Sequence, residues 1–137
     1  MTLILLIDDD PLVGDIVANG LGKAGYTVGV LSDGRGALDV VEFKRPALVL
    51  LDCVMPLMPG VEILRQIRSS KLCFDVPVLM LTARGSAVDR DIAMRAGAMG
   101  YMSKPFDIKR LAARVDHMIS DSLFQLDPGR LCVRGGG

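Results

Sequence analysis

Short hydrophobic runs alternate along the chain with longer segments in which hydrophobic positions recur at the helical period. The runs are hydrophobic at nearly every position, which is typical of parallel strands that are buried on both faces. The runs lie at Leu3–Ile7, Tyr26–Leu31, Ala47–Leu51, Val76–Leu81 and Met99–Met102. The helical segments lie at Pro11–Lys23, Arg35–Lys44, Val61–Ser70, Ala87–Ala96 and Ile108–Ile119. Strict alternation with right-handed crossovers predicts an α/β fold, a doubly wound five-stranded parallel sheet.

The last helical segment divides the chain into a domain and a tail. Residues 1–119 hold all the strand–helix units and are predicted to form one domain. Residues 120–137 are too short for a second domain and end in a glycine run, so they are predicted to be a linker or C-terminal tail. Asp10 before Pro11 predicts a helix N-cap, and Gly25 and Gly97 predict left-handed residues after helices.

Composition narrows the class of function. Sixteen basic and sixteen acidic residues cancel, so the chain lacks the basic field that holds nucleic acid, and we expect no DNA binding by this segment alone. No hydrophobic stretch is long enough to span a membrane, and the first run lacks the basic leader of a signal peptide, which predicts a cytoplasmic location. Three cysteines without CxxC spacing and one histidine give no zinc site.

Polar side chains follow four of the predicted strands. Asp8 and Asp9 follow the first strand, Asp52 the third, Thr82 the fourth and Lys104 the fifth. Ligands of parallel α/β sheets bind outside the carboxyl ends of the strands, so we expect these groups to converge. Crowded carboxylates need a cation, and hard oxygen ligands of this kind suit Mg²⁺. A carboxylate beside a metal, an ammonium and a hydroxyl is a layout for phosphoryl transfer to the carboxylate.

Five motifs resemble the receiver domain of bacterial two-component response regulators, the CheY-like superfamily. They are Ile7-Asp8-Asp9-Asp10, Leu50-Leu51-Asp52, Met55-Pro56 with Pro59-Gly60, Leu81-Thr82-Ala83, and Lys104-Pro105-Phe106. The resemblance covers about residues 3–119. It implies a flavodoxin-like (βα)5 sheet with strand order 2-1-3-4-5, and a signalling switch, not a conventional enzyme.

The resemblance also implies a role for each matching residue. Asp52 would accept a phosphoryl group from the phosphohistidine of a sensor histidine kinase or from a small phosphodonor. Thr82 would hydrogen-bond that group, Lys104 would pair with it, Tyr101 would be the aromatic switch, and the bond before Pro105 would be cis. The Mg²⁺ ligands would be Asp8, Asp9, Asp52 and the backbone carbonyl of Val54.

Other features resemble the winged-helix transcription-factor branch of this family. Residues 124–134 look like the opening strand of that branch's DNA-binding domain, so residues 120–137 would begin a truncated effector domain. That branch controls transcription and forms a homodimer through the fourth helix, the fifth strand and the fifth helix. Here Met99, Gly100 and Arg110 stand where that branch usually has acids, which argues against the usual dimer. Pro59 likewise replaces a usual acid in the loop after the third strand.

Two other functions compete with this interpretation. A haloacid-dehalogenase-type small-molecule phosphatase also uses a strand-end Asp with Thr, Lys and Mg²⁺, and Asp8-x-Asp10 fits its first motif. Leu12 stands where that motif needs Thr or Val. A flavodoxin-like cofactor binder would need a phosphate-binding Gly/Ser/Thr loop after the first strand, which the chain lacks. Turnover of a phosphate ester favours the phosphatase, whereas a single stoichiometric phosphoryl load favours the switch.

Overall fold

The computed structural model describes residues 2–83 and 87–125. In these ranges strands and helices alternate along the chain, all neighbouring strands are parallel, and the sheet has the order β2-β1-β3-β4-β5. The strands are β1 Leu3–Ile7, β2 Thr27–Leu31, β3 Leu48–Asp52, β4 Val78–Thr82 and β5 Gly100–Ser103. The helices are α1 Pro11–Lys23, α2 Ala37–Lys44, α3 Gly60–Ser69, α4 Ala87–Arg95 and α5 Ile108–Gln125. The predicted doubly wound α/β fold is confirmed.

The central strands separate two hydrophobic cores. Every residue of β3 is buried, and successive side chains point to opposite faces of the sheet. Leu48 and Leu50 pack in the core that contains α1 and α5, whereas Val49 and Leu51 pack in the core that contains α2, α3 and α4. Burial on both faces explains why the strands read as continuous hydrophobic runs.

The predicted helix boundaries are reproduced where capping residues mark them. The Asp10 carboxylate accepts a hydrogen bond from the amide of Leu12 at 2.9 Å, and Pro11 is the first residue of α1. Gly25 and Gly97 adopt φ values of 99° and 111°, the left-handed region that glycine tolerates. Asp10 therefore serves as the predicted N-cap, and both glycines end helices as predicted.

The end of the last helix was predicted wrongly. Helix α5 does not stop at Ile119 but continues to Gln125, so residues 124–125 lie in a helix. Met118 and Ile119 are buried, whereas Ser120 and Asp121 are exposed, so polar residues interrupt the hydrophobic pattern where the helix was predicted to end. Residues 126–137, on which the rest of the tail prediction depends, lie outside the described part. In the part that is described, no helix has both the length and the hydrophobicity to cross a membrane.

Candidate functional site

The register of the sheet brings the predicted site residues to one edge. Strands β1 and β3 are neighbours with Ile7 opposite Leu51, so Asp8 and Asp52 follow side by side. Strands β4 and β5 pair with Thr82 opposite Ser103, which places Lys104 just beyond. Residues separated by most of the chain therefore meet because parallel strands all end at the same edge.

Three carboxylates form a compact acidic cluster at this edge. Asp8, Asp9 and Asp52 each offer a carboxylate oxygen, and these oxygens all lie within 4.8 Å of one another. Asp8 and Asp52 are 1% and 5% exposed, whereas Asp9 is open to solvent. A site that has only a few carboxylates and is open to water on one side suits Mg²⁺. This ion keeps several of its bound waters when it binds a protein.

Lys104 inserts its ammonium group among these carboxylates. Its Nζ lies 2.6 Å from Oδ2 of Asp8 and 3.5 Å from Oδ1 of Asp52. Burial lowers the pKa of Lys104, but the hydrogen bond to Asp8 and the charge of Asp52 outweigh this, so the pKa of Lys104 is raised. The ammonium is therefore charged, and it pairs more closely with Asp8 than with the predicted acceptor. The bond between Lys104 and Pro105 is cis, as the resemblance implies.

The surroundings of Asp52 disfavour its ionised form. Burial and the negative charge of Asp8 raise the pKa of Asp52 to about 6, and Lys104 offsets only part of this. A cation at the cluster favours the ionised form because it cancels the repulsion between carboxylates. A divalent cation held by these carboxylates would therefore lower the pKa of Asp52 and increase the ionised fraction of its carboxyl group.

The loop after β3 is held close to the acidic cluster. The amide of Cys53 donates to the carbonyl of Leu81 at 2.9 Å, and the amide of Gly60 donates to the carbonyl of Cys53 at 3.0 Å. A Cβ on Gly60 would lie 2.0 Å from the backbone oxygen of Asp52, so only glycine allows this approach. The Val54 amide lies 3.4 Å from Oδ1 of Asp52, and its carbonyl as a metal ligand stays a prediction.

Pro59 and Leu57 have backbone conformations that set the path of this loop. Pro59 is the N-cap of α3 in an extended conformation, so the proline that replaces the usual acid fits without loss of a helical hydrogen bond. Leu57 is 74% exposed and adopts a φ of 74°, which lies in the left-handed region. Leucine rarely adopts this conformation, so the sequence does not predict it.

The predicted switch residues are joined directly. Thr82 ends β4 and is 1% exposed, and its side chain hydrogen-bonds that of Tyr101 on the neighbouring strand. Burial raises the pKa of Tyr101, and the bond to Thr82 offsets part of this rise. The hydrogen bond between the side chains of Thr82 and Tyr101 therefore connects β4 to β5.

Sequence reasoning missed a second contact of Thr82. Its side chain also hydrogen-bonds the Cys53 thiol, while burial raises the pKa of Cys53 to about 11. The thiol therefore stays protonated and is a poor nucleophile. Asp89 of α4 lines a small pocket with both residues, a proximity that nothing in the linear sequence indicates.

The sequence is similar to known response regulators. The family model of the response regulator receiver domain matches residues 4–116. Response regulator MprA of Mycolicibacterium vanbaalenii is 43% identical over 112 residues, which are 82% of this chain and 48% of the relative. The alkaline phosphatase synthesis transcriptional regulatory protein PhoP of Bacillus subtilis is 37% identical over 119 residues, 87% of this chain and 49% of that protein. The chain thus spans about half the length of these relatives.

Solved structures with the same fold include receiver domains. A CheY-like receiver domain protein from Methanospirillum hungatei superposes with a TM-score of 0.85 at 26% identity, covering 91% of this chain and 98% of the other. The receiver domain of sensor histidine kinase PA1611 from Pseudomonas aeruginosa gives a TM-score of 0.80 at 31% identity, covering 87% and 98%. That structure holds a magnesium ion coordinated in its active-site cleft.

Proposed function

The chain belongs to the response regulator receiver family, and from this we propose that it is a phosphorylation-activated switch whose phosphoryl acceptor is Asp52. The observation that carries the proposal is the position of the Asp52 carboxylate, buried beside two other carboxylates and 3.5 Å from the Lys104 ammonium. An oxygen of Asp52 attacks the phosphorus of a kinase phosphohistidine or of a small acyl phosphate. The bond from phosphorus to the donor breaks, and the donor leaves with its electron pair.

Two kinds of cation would stabilise this transfer. Asp8, Asp9, Asp52 and the carbonyl of Val54 would hold Mg²⁺, which when bound neutralises charge on the phosphoryl oxygens. Lys104 supplies the second positive charge, because its ammonium already lies between Asp8 and Asp52. A sensor histidine kinase is the proposed phosphodonor, as expected for this family.

The switch would act through the residues that touch the phosphorylated edge. Phosphorylation replaces the single charge of the Asp52 carboxylate with about two negative charges on the phosphoryl oxygens. Among the described residues, Thr82 and Lys104 have side chains that can donate to these new oxygens. If the Thr82 hydroxyl turns to the phosphoryl group, its bond to Tyr101 is released. Tyr101 then turns, and the surface of α4, β5 and α5 changes. The phosphoryl group shifts the equilibrium because it makes these contacts in one state only.

Control of transcription is the proposed output. One of the similar proteins is named as a transcriptional regulatory protein, and this chain matches about half of its length. The phosphatase alternative is not favoured, since the receiver family model runs through nearly the whole predicted domain. Leu12 also replaces a residue that the phosphatase motif requires.

Amide NMR with Mg²⁺ and fluoroberyllate, a mimic of the phosphoryl group, tests the switch. We expect one fluoroberyllate per chain and shifts that extend from Asp52 to α4, β5 and α5, because the mimic competes for Thr82. Asp52→Asn should abolish both. Lys104→Ala should still load, with smaller shifts at α4 and α5. Shifts confined to the acidic cluster in the parent would contradict a switch, and full shifts in Lys104→Ala would contradict coupling through Lys104.

A further inference from the structure

Cys53 lies beside Thr82 where two neighbouring strands end. Asp52 pairs with Leu81 in the register of β3 and β4, and the amide of Cys53 donates to the carbonyl of Leu81 at 2.9 Å. The next residue along each strand is therefore also a neighbour of the other. Cys53 and Tyr101 both pack against the hydrophobic core that contains α2, α3 and α4. Both side chains thus approach Thr82 from the same face of the sheet.

The Thr82 hydroxyl is shared between these two side chains. It is hydrogen-bonded to the Cys53 thiol and to the Tyr101 hydroxyl. A threonine side chain is stiff because its Cβ is branched, so its hydroxyl occupies one staggered position at a time. A hydroxyl that turns towards a phosphoryl group on Asp52 therefore leaves the thiol as well as the tyrosine.

We propose that Cys53 is a positioning residue of the switch, whose thiol holds the Thr82 hydroxyl beside Tyr101 and thereby favours the unphosphorylated state. The inference rests on the proposed function, since it needs Thr82 to turn towards a phosphoryl group on Asp52. A contact that is made only in the unphosphorylated state must be given up when the phosphoryl group binds. Such a contact lowers the affinity for the phosphoryl group, because it stabilises one state and not the other.

The position of the Cys53 thiol allows its hydrogen bond to be separated from its packing. The thiol borders a cavity of about 190 Å³, which Thr82 and Asp89 also line. Because the thiol already has a cavity on one side, truncation to alanine removes the hydrogen bond and few packing contacts. Serine keeps a hydrogen-bonding group at the same position.

Titration with fluoroberyllate in the presence of Mg²⁺ tests the role of the thiol. Cys53→Ala should bind the mimic about two- to fivefold more tightly than the parent, as expected when a weak hydrogen bond is lost from the free state alone. Cys53→Ser should remove most of this gain, because it keeps a partner for Thr82. Cys73→Ala is the matched control and should bind like the parent, because Cys73 is a free cysteine in the same core that does not line the cavity.

Two further measurements distinguish positioning from a general loosening of the loop. Thr82→Val removes the hydroxyl with little change in shape, so Cys53→Ala should bring no further gain in affinity in this background. Mg²⁺ alone would bind the carboxylates of the acidic cluster and not Thr82. Cys53→Ala should therefore leave the affinity for Mg²⁺ unchanged, whereas a loosened loop would change it.

Several results would overturn the role of Cys53. They are an equal gain in Cys53→Ser or Cys73→Ala, a gain that persists in the Thr82→Val background, and a matching change in the affinity for Mg²⁺. Binding by the parent with no gain in Cys53→Ala would reject the role of Cys53 alone. No binding of fluoroberyllate by the parent would reject the proposed function, and the role of Cys53 with it.

Discussion

At the scale of single residues, the surroundings of Asp52 disfavour the ionised form of its carboxyl group. Its pKa of about 6 exceeds the value near 3.9 of an unfolded chain. The folded state therefore binds a proton more tightly than the unfolded state, so stability falls as the pH rises from about 4 to about 6 and then levels off. In metal-free buffer, Asp52→Asn should gain roughly 1–3 kcal/mol over the parent at neutral pH, and this gain should vanish near pH 4.

Urea unfolding of both proteins at several pH values measures this difference. Asp33→Asn is the matched control, because a hydrogen bond from Arg35 lowers the pKa of Asp33. Asp33 stabilises the fold above its unfolded pKa, and that contribution is lost as the pH falls, so its substitution should act with the opposite sign. A gain for Asp52→Asn that does not change with pH would refute the burial argument.

Asp9 and Asp10 separate metal binding from helix capping. Asp9 belongs to the acidic cluster, whereas Asp10 caps α1. Asp9→Ala should reduce the rise in Tm that Mg²⁺ causes, because one carboxylate ligand is removed. Asp10→Ala should lower stability by about 1 kcal/mol with or without Mg²⁺ and leave the metal-induced rise unchanged. Equal metal-induced rises in all three proteins would argue against Asp9 as a ligand.

The composition of the acidic cluster was predictable from the sequence, but its pairing was not. Each strand-end residue follows a recognisable hydrophobic run, and parallel strands bring such ends together. The close contact of Lys104 with Asp8 depends on side-chain rotamers within that cluster. The bond between Thr82 and Cys53 depends on how the loop after β3 folds back over β4. Neither is encoded in spacing along the chain.

At the scale of elements, Arg68 ties α3 to two other parts of the fold. Its Nε donates to the carbonyl of Gly97 at 2.9 Å, just after α4. Its Nη1 donates to the carbonyls of Phe74 and Val76, before β4, at 2.9 and 2.6 Å. The C-terminal end of α4 is thereby fastened to α3, so a rearrangement of α4 would take place mainly at its other end.

Removing this side chain should be costly for stability. Arg68→Met should destabilise the protein by about 2–4 kcal/mol, because three hydrogen bonds from a charged donor are lost and two partly buried carbonyls lose a donor. Arg65→Met on the same helix should cost at most about 1 kcal/mol, since its pair with Glu62 is exposed at 3.6 Å. Urea unfolding compares the two variants. Similar losses would mean that Arg68 does not fasten α4.

Helix and strand positions followed from the sequence wherever burial or a cap marked them. Every predicted strand and helix exists, and most of their ends differ by one or two residues from the prediction. The extension of α5 past Ile119 was missed because the polar run Ser120, Asp121 and Ser122 indicated the end of the hydrophobic period. Exposed helical turns are set by local propensity, which is a weaker signal than packing.

At the scale of the whole molecule, the fold separates the two hydrophobic cores from the acidic cluster. Two hydrophobic cores lie on opposite faces of the sheet, while the acidic cluster lies beyond the ends of its strands. Substitutions at the cluster can therefore change charge without disturbing packing. The alternation of buried strands predicted this architecture because both faces of a parallel sheet must be covered. The position of Tyr101 on β5, joined to Thr82 on β4, then connects the acidic cluster to the surface of α4 and α5.

The most direct test of the account is the intact mass of the protein after incubation with Mg²⁺ and acetyl phosphate. The parent should gain the mass of one phosphoryl group, and chelation of Mg²⁺ should prevent the gain. Asp52→Asn should stay unmodified. Asp33→Asn, which removes an aspartate that pairs with Arg35 and does not belong to the acidic cluster, should load like the parent. An Asp52→Asn protein that loads as fully as the parent would contradict Asp52 as the phosphoryl acceptor.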